Sequence, residues 1–178
     1  MTFPLLETER LKLIEVGHQH LQSYFNIMSR DDVTKYYGME SLKNQEEAVN
    51  LIEHLRNNYE SKRGIRWGII LKDTQNFVGT IGLNNLNIEG KKAEIGFELH
   101  PSYWNKGIIS EAVKEVLRYS FEDLNLYRMG AVTFPDNVAS NKLLKKVGFS
   151  LEGKLRRYLY QNNQSHDALI YSFLSTEY

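Results

Sequence analysis

The sequence predicts a mixed α/β (α+β) fold: a mostly antiparallel central sheet of about seven strands, flanked by about four to five helices. Three observations predict it. Apolar spacing is helical through much of the first third of the chain, then turns to alternation at Arg66. The middle of the chain is a succession of strands joined by short polar turns. Residues 93–134 then read strand, helix, strand, a crossover suited to parallel neighbours. The 178 residues suit a single domain over 1–178 with one core.

In order, Leu11-Lys12-Leu13-Ile14 reads as a first strand, residues 21–28 as a helix and residues 31–36 as a short second one. Asn44 is a helix cap, and Glu47, three positions on, completes a capping box. Val49, Ile52 and Leu55 then recur along one helical face. Residues 67–71 and 77–83 are strands around the polar turn 72–76, and Glu89-Gly90-Lys91 turns the chain into a strand over 93–99. A loop leads to a helix whose Ile109, Ala112, Val113, Val116, Leu117 and Phe121 make one apolar face. Residues 128–134 form a strand and 139–147 a helix closed by Gly148. Two strands around 155–160 and 168–174, joined by the turn 161–164, end the sheet.

Composition excludes several functions. Twenty-two basic residues balance 22 acidic ones, which argues against a nucleic-acid partner. No apolar run approaches the ~20 residues that span a bilayer, so no membrane partner is expected. The start, Met1-Thr2-Phe3-Pro4-Leu5-Leu6-Glu7, does not read as a signal peptide. Cysteine is absent, which rules out disulfides and a cysteine nucleophile and suits a cytoplasmic location. No histidine spacing suggests a metal. Between Trp104 and Arg157, ten basic residues face six acidic ones, a surplus that fits solvated helix faces or a polyanionic small molecule.

The most informative stretch is Leu99-His100-Pro101-Ser102-Tyr103-Trp104-Asn105-Lys106-Gly107-Ile108-Ile109-Ser110-Glu111-Ala112. A strand ends, a loop turns, and a helix begins at or just after Gly107. A helix start presents unpaired N–H groups and a positive dipole end to a phosphate, and glycine lets the phosphate approach the backbone. The stretch resembles the pyrophosphate-binding motif of GNAT acyltransferases, Gln/Arg-x-x-Gly-x-Gly/Ala. Trp104 stands at the Gln/Arg position, Gly107 at the first glycine and Ile109 at the Gly/Ala position. Its Tyr-Trp-x-Lys-Gly-Ile-Ile-Ser-Glu-Ala wording is similar to the ribosomal-protein N-acetyltransferase branch, with Asn105 where that branch has glycine. A second block, from Asn137 and Ser140 through Gly148-Phe149 to Glu152-Gly153, resembles the family's Asn-x-x-Ser…Gly-Phe-x-x-Glu-Gly pattern. The resemblance covers essentially the whole chain and is weakest over residues 21–63.

The resemblance implies a GNAT fold and an enzyme that moves acetyl from acetyl-CoA to a primary amine by direct attack through a tetrahedral intermediate, without a metal. Such an amine, with a pKa near ~10, must first lose a proton. The oxyanion needs a donor, and the departing thiolate an acid. In the family, the strand over 93–99 splays from the strand over 128–134, and the pantetheine arm pairs there with backbone near Phe97 and Leu99. The loop residues Trp104, Asn105, Lys106, Gly107, Ile108, Ile109 and Ser110 would hold the pyrophosphate, and Asn137, Ser140 and Asn141 would complete the cofactor site. Many relatives place a tyrosine acid where this chain has Leu144, and the ribosomal-protein branch uses a serine one turn earlier, here Ser140. Asn137 and Ser140 are equally good helix caps. For the base, Glu94 and Glu98 fall on one strand face unless a bulge intervenes, and His100 is a third candidate. Tyr36, Tyr37 and Trp67 fit either an acceptor pocket or the core.

The acceptor implied is a protein N-terminal or side-chain amine. Two alternatives stay open. A polyamine, amino acid or aminoglycoside acetyltransferase would show converging carboxylates among Asp31, Asp32, Glu46 and Glu47. A non-catalytic acyl-CoA-binding module would bind CoA without turnover. A homodimer through the final strands is a further expectation.

Overall fold

The computed structural model describes residues 2–178; Met1, the first residue of the stretch read against a signal peptide, lies outside the described residues. The strands are β1 (Leu6–Glu7), β2 (Leu11–Glu15), β3 (Ile65–Leu71), β4 (Phe77–Asn87), β5 (Lys92–Leu99), β6 (Arg128–Thr133), β7 (Ser150–Gln161) and β8 (Gln164–Leu174). The helices are α1 (Leu21–Met28), α2 (Asp31–Thr34), α3 (Gln45–Glu60), α4 (Ile108–Arg118) and α5 (Val138–Val147). All eight strands form one sheet in the order β1-β2-β3-β4-β5-β6-β8-β7. Every pairing is antiparallel except β5 with β6, the pair joined by the α4 crossover. The eighth strand is β1, two residues too short to leave an alternation in the sequence.

Local chemistry explains the helix ends. The Asn44 carboxamide oxygen accepts from the Glu47 N–H at 2.9 Å, while the Glu47 carboxylate accepts from the Lys43 N–H at 2.7 Å. The cap therefore reaches one residue further back than the standard box. Helix α4 buries Ile108, Ile109, Ala112, Val113, Val116 and Leu117, each larger aliphatic contributing about 1.5–3 kcal/mol. Phe121, expected on the same face, is buried just beyond the helix in a π-turn over Tyr119–Asp123.

Two apolar clusters cover the two faces of the sheet. The larger joins α4 and Leu144 of α5 to Leu11, Leu13, Trp67, Ile69, Ile81, Leu83 and Tyr171. The smaller joins Tyr24, Ile27 and Met28 of α1 to Ala48 and Ile52 of α3. Trp67 belongs to the first: it is fully buried, donates to the Pro4 carbonyl at 2.7 Å and meets Tyr119 edge-on. It is a core residue and walls no acceptor pocket.

Strand β7 starts five residues earlier than the sequence suggests, at Ser150 rather than near Leu155. Its side chains are almost all exposed and two register shifts interrupt its pairing with β8, so no clean alternation marks it.

Candidate active site

Strands β5 and β6 run together only through Lys92↔Arg128, Ala93↔Met129 and Glu94↔Gly130. On its other side β5 stays paired to β4 as far as Gly79↔Leu99. The His100 N–H donates to Val78 on the β4 side, so by alternation the N–H and C=O groups of Phe97 and Leu99 point towards β6. Beyond Glu94 no strand meets them there. An open cleft with a polar backbone wall results, where the sequence places Phe97 and Leu99. The Leu99 carbonyl is already taken: the Trp104 indole N–H donates to it at 2.8 Å. Trp104 thus ties the loop to the strand end, which accounts for its departure from the family's Gln/Arg, and Leu99 keeps only its N–H for a ligand.

The loop that follows ends in two left-handed residues, Asn105 at φ 59° and Gly107 at φ 74°. Gly107 is the N-cap of α4 and lacks a capping side chain. Across residues 105–110 no backbone N–H has a partner among the described residues; the first helical bond is Glu111 N–H to the Gly107 carbonyl. Six consecutive donors at the positive end of a helix fit a pyrophosphate. Ile108 and Ile109 are buried in the core, so they and the exposed Gly107 can offer only backbone. Lys106 donates to the Ser102 carbonyl at 2.8 Å and lies 5.4 Å from the Tyr103 ring centre. Ser110 is half-buried in the first helical turn.

A brace holding this loop is absent from the sequence reading. Glu111 accepts from the Thr8 hydroxyl at 2.5 Å and from the Arg10 guanidinium at 2.6 Å, and Arg10 also donates to the Lys106 carbonyl at 2.9 Å. Against the opposing effect of burial, the Thr8 hydroxyl, then the Arg10 N–H and guanidinium, hold the Glu111 carboxyl below the usual range. The partners are about a hundred residues apart in the chain, so spacing could not reveal them.

Across the cleft, Asn137 caps α5, accepting from the Ser140 N–H at 3.3 Å, and its side-chain N–H₂ remains available. The Ser140 hydroxyl makes no hydrogen bond among the described residues. Asn141 is committed elsewhere: it accepts from Thr133 at 2.5 Å and donates to the Phe134 and Pro135 carbonyls at 3.3 and 3.1 Å. These bonds clamp the β6–α5 loop and occupy the carboxamide that the sequence assigns to the cofactor. Leu144, at the family's tyrosine position, is in the core.

Glu94 and Glu98 do share a face, because the β4–β5 irregularity falls at Asn84–Asn87 and spares the run from 94 to 99. Their surroundings differ. Glu94 is half-buried at the last β5–β6 pair and accepts from Asn85 at 3.1 Å. Glu98 lies beyond the parting of the strands with its side chain 2% exposed. It accepts from the Thr80 hydroxyl, and its Oε2 has no hydrogen-bond partner among the described residues. Burial holds the Glu98 carboxyl above the usual carboxylate range, an effect that Arg66, Thr80 and Tyr37 reduce without reversing. Tyr37 comes from the segment after α2, and burial raises its hydroxyl far above the ordinary range. Gln161, at the end of β7, holds that segment by donating to Thr34 and Met39 at 2.8 and 2.9 Å and accepting from Gly38 at 3.1 Å.

The other candidates have local roles. His100 accepts from the Ser102 N–H at 3.2 Å and meets Tyr103 edge-on. Tyr36 packs on Phe134 at 5.8 Å. Among the described residues no three His, Asp or Glu side chains converge as a metal site would require. No helix among them is long and apolar enough to cross a membrane.

Comparison with known proteins agrees with this geometry. Residues 10–150 match the model of the acetyltransferase (GNAT) domain. The chain is 45% identical to "Uncharacterized N-acetyltransferase YoaA" of Bacillus subtilis, over 97% of each chain. It is 34% identical to "Putative ribosomal N-acetyltransferase YdaF" of the same organism, over 72% of this chain and 69% of that one. The crystal structure of a GNAT-family acetyltransferase from Bacillus anthracis superposes with a TM-score of 0.86 at 27% identity, covering 98% of this chain and 100% of that one. With the parted strands and the unpaired amides at the start of α4, these matches establish that the chain belongs to the GNAT family and is an acetyl-CoA-dependent N-acetyltransferase.

Proposed function

We propose that this enzyme, one acetyltransferase domain over residues 1–178, acetylates the α-amine of a protein N-terminus, with Glu98 as the proton acceptor. The observation that carries the reading is the buried Glu98 carboxylate, one oxygen of which accepts no hydrogen bond among the described residues, beside the cleft between β5 and β6. The pyrophosphate is held by the amides of residues 105–110, and the pantetheine arm by Phe97, the Leu99 N–H and the Asn137 side chain. When bound, acetyl-CoA supplies an activated acyl group. Glu98 then takes the amine's proton through an intervening water, since so buried a side chain cannot touch a bulky acceptor directly. The Phe97 N–H serves as donor to the acyl oxygen, and the Ser140 hydroxyl donates to the departing sulfur. Glu94, at the head of the cleft, has its carboxylate held by Asn85 and helps to shape the site.

Two observations favour a protein acceptor over a polyamine. The relative YdaF carries a ribosomal N-acetyltransferase name. Three of the four carboxylates that a polyamine site would gather are spent locally: Asp31 accepts from Ser41, Asp32 pairs with Arg30 at 2.9 Å, and Glu47 accepts from the Lys43 N–H at the start of α3. A cytoplasmic location belongs to the same reading. So does self-association through β7, the edge strand that exposes Leu151, Leu155, Tyr158 and Tyr160.

Thiol release from acetyl-CoA, measured against peptides with free N-termini, spermidine and an aminoglycoside, tests the acceptor. Turnover with the peptides alone, lost in Glu98→Gln, is expected. Turnover with spermidine would replace the acceptor class, and CoA binding without turnover on any amine would return the non-catalytic reading.

A further inference from the structure

The face of the sheet that carries Glu98 also carries a buried arginine that catalysis as described above does not use. Strand register aligns Arg66, Gly82 and Gly96 in one row across β3, β4 and β5. The two glycines leave a trough, and the Arg66 side chain lies in it. A Cβ on Gly82 would come within 2.8 Å of the Arg66 Nε, and one on Gly96 within 2.9 Å of Asn84 and 3.5 Å of the Arg66 Nη2. The guanidinium is fixed at its far end by the Gly96 carbonyl and the Asn84 side chain, both at 3.0 Å. In that position its Nη1 stands 3.7 Å from Glu98 Oε2, the oxygen without a hydrogen-bond partner.

Glu98 is on the next row, opposite Thr80, which in turn faces Gly68. The titratable and charged groups around it come from three other directions. Tyr24 reaches it from α1, Tyr37 from the segment after α2, and Arg66 from β3. Tyr24 is fully buried and its hydroxyl too has no hydrogen-bond partner among the described residues. Among the described residues, Arg66 is the one cation acting on the Tyr24 and Tyr37 hydroxyls and the Glu98 carboxyl. A buried carboxyl without a counter-charge takes up a proton and ceases to be a base.

We propose that Arg66 is a positioning residue for acetyl transfer: laid across Gly82 and Gly96, it favours the charged form of the buried Glu98, the group that accepts the acceptor amine's proton. This rests on the reading of Glu98 as that acceptor. Arg66 touches no reacting atom. It acts at a fixed distance through Glu98, and the same positive charge disfavours the protonated form of an amine that comes near.

The test compares wild type, Arg66→Met, Arg66→Lys and Glu98→Gln by two readouts. One is the side-chain carboxyl resonance of Glu98 followed against pH in the protein without acetyl-CoA. The other is the pH profile of kcat/KM for a peptide acceptor. In Arg66→Met the Glu98 resonance and the acidic limb of the profile move together to higher pH, by at least about one unit. On that limb the rate falls about tenfold, while the KM for acetyl-CoA is unchanged. Arg66→Lys, which keeps the charge, shows less than half the displacement. An unmoved Glu98 resonance in Arg66→Met, with Glu98→Gln inactive, overturns the role of Arg66 and leaves Glu98 as the base. Full activity in Glu98→Gln overturns the base assignment and this inference with it. Removing one partner of a buried pair can unfold a protein. Should Arg66→Met not fold, Asn84→Ala, which frees one end of the guanidinium, is read by the same two criteria with a smaller displacement in the same direction.

Discussion

Replacing Gly107 by valine separates the two things this residue does. At φ 74° a non-glycine residue costs about 1–2 kcal/mol in the folded state, which lowers the melting temperature by roughly 4 °C in a chain of this size. The second effect is on the cofactor. A Cβ at Gly107 stands 3.4 Å from the Arg10 guanidinium, at the mouth of the amide run 105–110, and valine adds two methyl groups beyond it. Hydrogen bonds from neutral donors to a charged partner are each worth about 1.5–3 kcal/mol. Losing two of them, at the low end, costs about 3 kcal/mol, or roughly a hundredfold in the Kd for CoA. Calorimetric titration of CoA into wild type and Gly107→Val measures this directly, and a thermal melt reads the strain on its own. Gly153→Ala is the control, since Gly153 has ordinary backbone angles and open space around it. If Gly107→Val melts lower but binds CoA within about threefold of wild type, the loop amides do not carry the phosphates and the site has been misplaced.

Two further outcomes follow from the hydrogen bonds. Gln161→Ala removes three of them between the β7 end and the segment carrying Tyr37; at about 1 kcal/mol each the loss is about 3 kcal/mol, and the KM for the peptide acceptor rises about tenfold with the KM for acetyl-CoA unchanged. Equal rises in both constants would show that this staple does not belong to the acceptor side. Glu152 is held down from 4.5 to about 2 by the Arg128 guanidinium, with which it makes bonds of 2.7 and 2.6 Å, and by Ser172. A lowered carboxyl stabilises the fold above its unfolded value and loses that stabilisation as pH drops from about 4.5 towards about 2. Because the pair is part-exposed, the contribution is about 1 kcal/mol. Urea melts of wild type and Glu152→Gln should therefore differ at pH 7 and converge at the acid end; a constant difference would contradict the ion pair.

How much of this was legible in the sequence depends on the distance over which each feature is built. The start of α4 was legible because an apolar stripe, a glycine and a preceding strand all lie within about twenty residues. The Asn44–Glu47 cap was legible for the same reason. The Arg66 trough was not: Ile65-Arg66-Trp67-Gly68 shows a charge inside an apolar strand, but only the strand register sets Gly82 and Gly96 beside it. The same limit hid the Thr8–Arg10–Glu111 brace and the Gln161 staple, whose partners meet only after folding. Sequence placed Glu94 and Glu98 on one face but could not rank them, since burial and the parting of β5 from β6 separate the two. Asn141 read as a ligand because its position in the motif is clear, whereas its three hydrogen bonds to Thr133, Phe134 and Pro135 depend on how the loop closes.

Central to the proposed function is that the cleft between β5 and β6 and the amides at the start of α4 form one acetyl-CoA site. Amide hydrogen exchange with and without saturating acetyl-CoA tests that residue by residue. The N–H groups of residues 105–110, with those of Phe97 and Leu99, should slow markedly on binding, while exposed amides along β7 keep their rates. Protection confined to another part of the molecule, such as the cavity lined by His18, Glu53 and Tyr59, with residues 105–110 unchanged, would contradict it.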